Sequence, residues 1–226
     1  MRCVVSCLVA LLSLGTSAAF AATPAPANDE QKTLYALGLA ISQSLGVFNL
    51  NESELELVKS GITDGVFKKT PKVELQTFGP KIQILQQARA SVVADAEKKA
   101  GAAFLAKAAA EHGAKKTESG AILTMIKEGK GATPKATDTV KVHYHGTLTD
   151  GTVFDSSVKR GEPATFGLNQ VIKCWTEGVQ LLKVGSKGKL TCPSDLAYGD
   201  KGAPPTIKPG STLVFEVELL EIVAAK

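Results

Sequence analysis

The strongest constraint on the fold of this 226-residue chain is a set of five aromatic and apolar segments between residues 140 and 220. The segments are Val142-His143-Tyr144, Val153-Phe154-Asp155-Ser156-Ser157, Val171-Ile172-Lys173-Cys174-Trp175, Leu196-Ala197-Tyr198-Gly199 and Leu213-Val214-Phe215-Glu216-Val217. Apolar and polar residues alternate over residues 140–145, and near the C-terminus Leu213, Phe215, Val217 and Leu219 alternate with Val214, Glu216 and Glu218. This period of two predicts antiparallel strands with one buried face.

The order of these segments resembles the FKBP family of peptidyl-prolyl cis/trans isomerases, over roughly the last 110 residues. The resemblance implies an α+β fold, in which an antiparallel half-barrel sheet wraps on a short helix near residues 171–179. We therefore expect an FKBP-like isomerase domain at residues 117–226.

The same resemblance implies roles for individual residues. Trp175 is expected to form the floor of a proline-binding pocket, and Phe154 and Phe215 its walls. The expected catalytic groups are Asp155 at the rim, the Tyr198 hydroxyl and the Ile172 backbone N–H. The expected substrate-binding residues are Tyr144, Phe154, Arg160, Phe166, Val171, Trp175, Ala197, Ile207 and Phe215.

These residues also have purely structural interpretations. Asp155 can be an ordinary turn residue that bonds to its own backbone. Tyr144, Phe166 and Phe215 can be core residues alone. Tyr198 favours a binding role more strongly, because a tyrosine beside Gly199 in a loop offers both a ring and a free hydroxyl.

Rotation about an X-Pro bond breaks no covalent bond, and its barrier of roughly 18–20 kcal/mol comes from amide resonance. No nucleophile, metal or cofactor is therefore expected, and a dry aromatic cleft that favours the twisted amide suffices. His143 and His145 lack the further ligands of a metal site. The net charge is only +4, and the 26 basic residues are mixed with 22 acidic ones. This mixture argues against nucleic-acid binding.

Two positions depart from the family pattern. Cys174 stands where the family usually has glycine, and Ala164 stands where many members carry an aromatic residue. We expect the alanine to widen one pocket wall and to weaken binding of the macrolide FKBP inhibitors, which are predicted ligands.

The N-terminus has the pattern of an export signal. Arg2 precedes an apolar run from Cys3 to Leu14, and Ala19-Phe20-Ala21 provides a cleavage site. This predicts a signal peptide at residues 1–21. An uncleaved anchor is disfavoured, because the run is shorter than the roughly 20 apolar residues that span a bilayer. We expect the mature chain to be periplasmic, with outer-membrane association or secretion left open.

Removal of that signal leaves two cysteines, Cys174 and Cys192. An even count in an oxidising compartment favours a disulfide, which would hold the pocket floor at Trp175. The alternative is two buried free thiols.

Residues 22–80 are predicted to form a helical domain. Leu34, Leu37, Ile41 and Leu45 have helical spacing, and a second helix fits from Ser53 with Asn51 or Ser53 as its cap. So short a segment buries its apolar face poorly. We therefore expect a homodimer through residues 28–80.

A third pattern predicts a connecting helix at residues 81–113, about 48 Å long. It is expected to begin or kink at Pro80, because an interior proline removes a hydrogen bond, and to end by Gly113. The helix either separates the two domains or packs back on the C-terminal one. This layout resembles the Mip and FkpA group of exported bacterial isomerases, which dimerise through the helical part.

These features predict an enzyme, a peptidyl-prolyl cis/trans isomerase that acts on proline-containing unfolded or nascent exported proteins. The alternative is a dimeric periplasmic holdase chaperone that uses the pocket only for peptide binding.

Overall fold

The structure is a computed structural model that describes residues 25–223. The predicted signal peptide, residues 1–21, lies outside this range. The described chain divides after Leu39, within its first helix, into two units. Between residues 25 and 223, no helix combines the length and the apolar character needed to cross a membrane.

The first part of the described chain is helical, as predicted. Its elements are α1 (Asp29–Leu45), a 3₁₀ turn (Gly46–Phe48), α2 (Glu52–Val66) and α3 (Leu75–Ala109). Two short helices follow among the strands, α4 (Ser157–Arg160) and α5 (Lys173–Val179). Helix α5 matches the short helix expected near residues 171–179.

The start of α2 is fixed by a cap that α3 completes. The Asn51 side chain accepts a hydrogen bond from the Glu54 N–H at 3.0 Å, and the Glu54 carboxylate accepts one from the Asn51 N–H, also at 3.0 Å. Arg89 on α3 donates to the same carboxylate at 2.5 and 3.0 Å and to the Phe48 carbonyl at 2.8 Å. The Arg89 hydrogen bonds, together with the Asn51 N–H, lower the pKa of Glu54 to about 2.

The predicted bounds of the long helix, 81–113, differ from those of α3, Leu75–Ala109. The helix already begins before Pro80, where the Thr77 and Phe78 N–H groups bond to the Glu74 carbonyl, and it continues through the proline with one interior hydrogen bond missing. Gly79 has no Cβ to clash with the proline ring. At the other end Gly113 adopts φ +76°, so the chain turns out of the helix before this residue and enters the sheet at once.

The sheet of the described residues has seven strands, and all its pairs are antiparallel. They are β1 (Ala114–Lys116), β2 (Ile122–Lys127), β3 (Thr139–Leu148), β4 (Val153–Ser156), β5 (Ala164–Gly167), β6 (Lys187–Cys192) and β7 (Leu213–Val223). Their order is β1-β2-β6-β7-β3-β4, with β5 also paired to β3. The sheet is open and begins at Ala114, before the predicted boundary at residue 117. β1 had no alternating pattern by which to recognise it.

The central strands bury the face that their alternation predicted. Val140, Val142 and Tyr144 on β3 are buried, as are Phe215 and Val217 on β7. In the register of these strands Tyr144 lies opposite Val217, and Gly146 lies opposite Phe215. The core therefore lies on the side of the sheet from which Tyr144 and Phe215 project.

The second half of α3 packs against this β-rich part through small residues. Ala94, Gly101 and Ala108 are its buried positions, and they recur every seven residues on one helix face. A Cβ at Gly101 would lie 2.2 Å from the Thr212 hydroxyl oxygen, and one at Gly210 would lie 2.4 Å from the Ala94 carbonyl oxygen. Helix α3 and the loop before β7 can approach this closely because both glycines lack side chains.

Ion pairs flank this contact. The Lys98 Nζ lies 2.6 Å from the Asp200 Oδ1 and 3.4 Å from the Asp195 Oδ1. Glu97 pairs with Lys208 at 3.3 Å, and Glu111 pairs with Lys189 at 2.7 Å. Three of these pairs reach residues 195–208, so α3 holds both ends of the loop that precedes β7. Two arrangements were predicted for the long helix, separation of the domains or packing against the C-terminal one. The second half of α3 packs against the C-terminal domain.

The contact between α3 and Gly210 can be tested with a matched pair of variants. Gly210 and Gly113 have nearly the same φ, +77° and +76°, but a Cβ at Gly113 would meet nothing within 4 Å. Gly113→Ala should lower the free energy of unfolding by about 1 kcal/mol for the strained φ alone. Gly210→Ala should cost about 2–3 kcal/mol, because helix and loop must also separate. Urea unfolding measures both, and equal losses would contradict the close contact.

Candidate active site

An aromatic cluster centred on Trp175 lies at the start of α5. The Trp175 ring meets Tyr144, Phe166 and Phe215 in perpendicular contacts, with centroids 5.3, 5.7 and 5.3 Å away. Such edge-to-face contacts add about 0.5–1.5 kcal/mol each beyond the area they bury. Phe154 packs on Phe215 in the same way at 5.4 Å. The four rings around Trp175 therefore hold one another in fixed orientations.

Gly146 makes room for two of these rings. A Cβ at this position would lie 2.7 Å from the tip of the Phe154 ring and 3.1 Å from Phe215. Because β3 carries no side chain here, both phenylalanines can lie over the strand. The sequence alone did not single out this glycine.

Within residues 25–223, Asp155 is the only charged side chain that lines the cavity beside these rings. The Tyr144 hydroxyl donates to its carboxylate, and Arg160 donates to the same carboxylate from the other side. Arg160 also donates to the Tyr144 hydroxyl oxygen at 2.9 Å. Asp155, Tyr144 and Arg160 thus form a closed network of hydrogen bonds.

This network sets which groups are charged. Partial burial opposes ionisation of Asp155, but the hydrogen bonds from Tyr144 and Arg160 outweigh it and hold the pKa of Asp155 below its usual range. Burial, followed by the hydrogen bond to Asp155, raises the pKa of the Tyr144 hydroxyl. At neutral pH the carboxylate is therefore ionised and the tyrosine remains a donor.

These side chains surround a cavity of about 690 Å³, which we call the aromatic cavity. Its lining residues are Tyr144, Phe154, Asp155, Phe166, Gln170, Val171, Ile172, Trp175, Tyr198, Ala203, Thr206, Ile207 and Phe215. Ile172 stands at the N-terminal end of α5, where the first backbone N–H groups of a helix have no partner within the helix. Tyr198 lies at the opening and is 42% exposed.

Most of the predicted site residues lie at this cavity. Two do not line it: Arg160 contacts Asp155 and Tyr144 from outside, and Ala197 packs against the core beside Tyr198. Ala164, which was expected to widen a wall, is not among the lining residues; it pairs with Val142 and packs against the core.

Sequence reasoning missed Gln170, Ala203 and Thr206, which also line the cavity. Gln170 directly precedes a recognised motif, so a wider motif boundary would have included it. Ala203 and Thr206 lie in a loop without periodicity.

A disulfide joins Cys174 to Cys192, as predicted. Cys174 directly precedes Trp175 on α5, and Cys192 ends β6 just before the segment that carries Tyr198. Both sulfur-bearing residues are fully buried. The bridge therefore links the element that carries the tryptophan to the strand that leads to the Tyr198 loop.

Two family models match the chain. One, described as FKBP-type peptidyl-prolyl cis-trans isomerase, matches residues 130–220, which contain the aromatic cavity. The other, described as the domain amino terminal to FKBP-type peptidyl-prolyl isomerase, matches residues 30–123.

Relatives match over most of the chain. The FKBP-type peptidyl-prolyl cis-trans isomerase FkpA of Aeromonas hydrophila is 48% identical over 205 residues, which cover 85% of this chain and 76% of that protein. The FKBP-type 22 kDa peptidyl-prolyl cis-trans isomerase of Escherichia coli (strain K12) is 44% identical over 204 residues, which cover 88% of this chain and 98% of that protein. The crystal structure of FkpA from Escherichia coli matches with a TM-score of 0.67 at 38% identity, over 88% of this chain and 99% of that one. On fold, site and similarity together, the chain belongs to the family of FKBP-type peptidyl-prolyl cis-trans isomerases.

Proposed function

We propose that this isomerase binds the proline ring of an X-Pro segment against Trp175 and accelerates rotation of the preceding amide in the aromatic cavity. The observation that supports this most is the cluster of perpendicular rings around Trp175, next to one ionised carboxylate. In the twisted state the amide loses conjugation and becomes less polar. A dry aromatic wall therefore favours the twisted state over the planar, well-solvated ground state.

The polar groups of the cavity have complementary proposed roles. The Ile172 N–H and the Tyr198 hydroxyl hold the carbonyl groups on either side of the rotating bond, so that the peptide is fixed while the bond turns. Asp155 faces the carbonyl carbon of the twisted imide, where its negative charge acts electrostatically. Tyr144 and Arg160 position that carboxylate, and both are proposed to take part in substrate binding, Tyr144 through the ring that lines the cavity.

The required stabilisation can be divided between hydrogen bonds and exclusion of water. An acceleration of about 10⁴-fold requires about 5.5 kcal/mol of preferential binding to the transition state. Hydrogen bonds contribute about 0.5–1.5 kcal/mol each, so two of them supply about 1–3 kcal/mol. Exclusion of water from the amide is proposed to supply the remaining part, without any covalent step.

The proposed roles of Asp155 and Tyr198 can be tested by single substitutions. Asp155→Ala and Tyr198→Phe should each lower kcat/KM on an Ala-Leu-Pro-Phe peptide by about tenfold or more, since each removes about 1.4 kcal/mol of transition-state binding. Asp95→Ala and Tyr35→Phe are matched controls on exposed helix surfaces and should leave kcat/KM unchanged. Wild-type rates in both site variants would exclude these roles.

The proposed substrates are proline-containing unfolded or nascent proteins in the periplasm. The signal-peptide pattern at residues 1–21 supports export. The disulfide between Cys174 and Cys192 fits an oxidising compartment. Association with the outer membrane and secretion are variants of the same proposal, and macrolide FKBP inhibitors are proposed to compete for the aromatic cavity.

A homodimer through residues 28–80 is also part of the proposal. The helices in this range expose many large apolar side chains, including Leu37 at 57%, Leu57 at 75% and Phe67 at 70%. Exposed apolar area of this kind normally marks an interface. A second copy of the same chain would cover these residues. The match of residues 30–123 to the family's amino-terminal domain supports the assignment.

The dimer can be tested by sedimentation equilibrium of the mature chain. Leu37→Lys should shift the mass from dimer toward monomer, because it places a charge in the proposed interface. Ile126→Lys is the matched control: Ile126 is also exposed but lies on β2, outside residues 28–80. A wild-type monomer, or a dimer equally sensitive to both substitutions, would contradict the proposed interface.

The holdase alternative rests on the same exposed apolar side chains. A holdase that uses the cavity only for peptide binding would still suppress aggregation of an unfolded protein after Asp155→Ala. Loss of peptide isomerisation with unchanged suppression of aggregation would assign the two activities to different parts of the chain.

A further inference from the structure

A second depression lies beside the aromatic cavity, between α3, the 3₁₀ turn after α1 and the loop of residues 200–209. Its volume is about 860 Å³, and we call it the amide groove. Its lining residues are Gly46, Val47, Asn49, Gln83, Gln86, Gln87, Ala90, Ser91, Val93, Asp200, Lys201, Gly202, Pro204, Pro205, Ile207, Lys208 and Pro209. The connecting helix and the isomerase domain thus form this groove together.

The amide groove adjoins the aromatic cavity across a narrow part of one loop. Ile207 lines both depressions, and Ala203 lines the cavity while its neighbours Gly202 and Pro204 line the groove. Ala203 and Ile207 form an isolated antiparallel bridge, so two backbone segments of the loop lie side by side between the cavity and the groove. Paired chains lie about 4.8 Å apart, and an extended peptide advances about 3.3 Å per residue. A few residues beside a bound proline therefore reach from the cavity into the groove.

The chemistry of the groove suits a polypeptide backbone. Gln83, Gln86 and Gln87 lie on one face of α3, and their side-chain amides make no hydrogen bond within residues 25–223. Each amide offers both donors and an acceptor, the same groups that an extended backbone presents.

Most of the charges at this groove are compensated. Asp200 is paired with Lys98, and Lys208 is paired with Glu97. Lys201 also lines the groove and has no ion-pair partner within residues 25–223. The groove therefore carries one uncompensated positive charge, and most of its other free polar groups are side-chain amides, which bind a backbone whatever side chains it carries.

We propose that the amide groove is a second substrate subsite, which binds the extended backbone next to the proline with little regard to its sequence. The inference rests on the proposed function, because it requires the proline to occupy the aromatic cavity. It predicts that a long unfolded polypeptide is a better substrate than a tetrapeptide. The first half of α3 would then take part in substrate binding as well as connecting the two parts of the chain.

The test compares two substrates on the mature chain. One is the tetrapeptide Ala-Leu-Pro-Phe, and the other carries the same four residues within a longer uncharged peptide of Ala, Ser and Asn. The double variant Gln83→Ala/Gln87→Ala should lower kcat/KM on the long peptide by about fivefold, as expected for one or two lost hydrogen bonds, and leave the tetrapeptide unchanged. Gln43→Ala/Gln76→Ala is the matched control on helix surfaces outside the groove.

A second variant, Ala90→Trp, fills the groove and should reproduce the selective loss. Equal losses on both substrates, or no loss on either, would overturn the proposal. A change of oligomeric state in the groove variants would assign the groove to a second copy of the chain and overturn it as well. If the wild type fails to isomerise even the tetrapeptide, the proposed function fails. Binding of the two peptides, measured by fluorescence anisotropy, then still tests the groove separately.

Discussion

The packing of Trp175 is the interaction on which the aromatic cavity depends. Its ring is held by three perpendicular aromatic contacts, while its indole N–H has no hydrogen-bond partner within residues 25–223. An unpaired buried donor costs about 1–3 kcal/mol, so packing must outweigh that cost. A Cβ at Gly178 would lie 2.3 Å from Leu190, so α5 can approach β6 only without a side chain there. The disulfide at Cys174 joins the same two elements.

The opposite side of the cavity depends on α3. The loop that carries Tyr198, Ala203, Thr206 and Ile207 is connected to this helix by ion pairs near both of its ends. Ala94 and Gly101 permit the close contact that brings helix and loop together. A catalyst that works by fixing a peptide while one bond rotates needs a well-positioned wall. The connecting helix therefore contributes to the site although none of its residues lines the aromatic cavity.

Periodicity made much of this architecture predictable. The alternation on β3 and β7 identified their buried faces, and Asn51, one of the two caps predicted for α2, is the residue that caps it. The spaced aromatic motifs identified most of the cavity lining. Such features are local, since each is encoded within a few neighbouring residues.

The features that escaped prediction depend on distant partners. The role of Gly146 follows from rings contributed by β4 and β7, and the role of Gly210 follows from the backbone of α3. The start of α3 before Pro80 depends on Gly79 and on the Glu74 carbonyl, where the general rule against interior proline favoured a later start. The amide groove is formed by three segments that have no common motif.

The most direct test of the central claim is exchange NMR on an Ala-Leu-Pro-Phe peptide with catalytic amounts of the mature chain. The account predicts exchange peaks between the cis and trans forms at mixing times far below the tens of seconds of the uncatalysed reaction, and their loss in a folded Trp175→Leu variant. A correctly folded wild type that produces no exchange peaks, or a Trp175→Leu variant that matches it, would contradict the account.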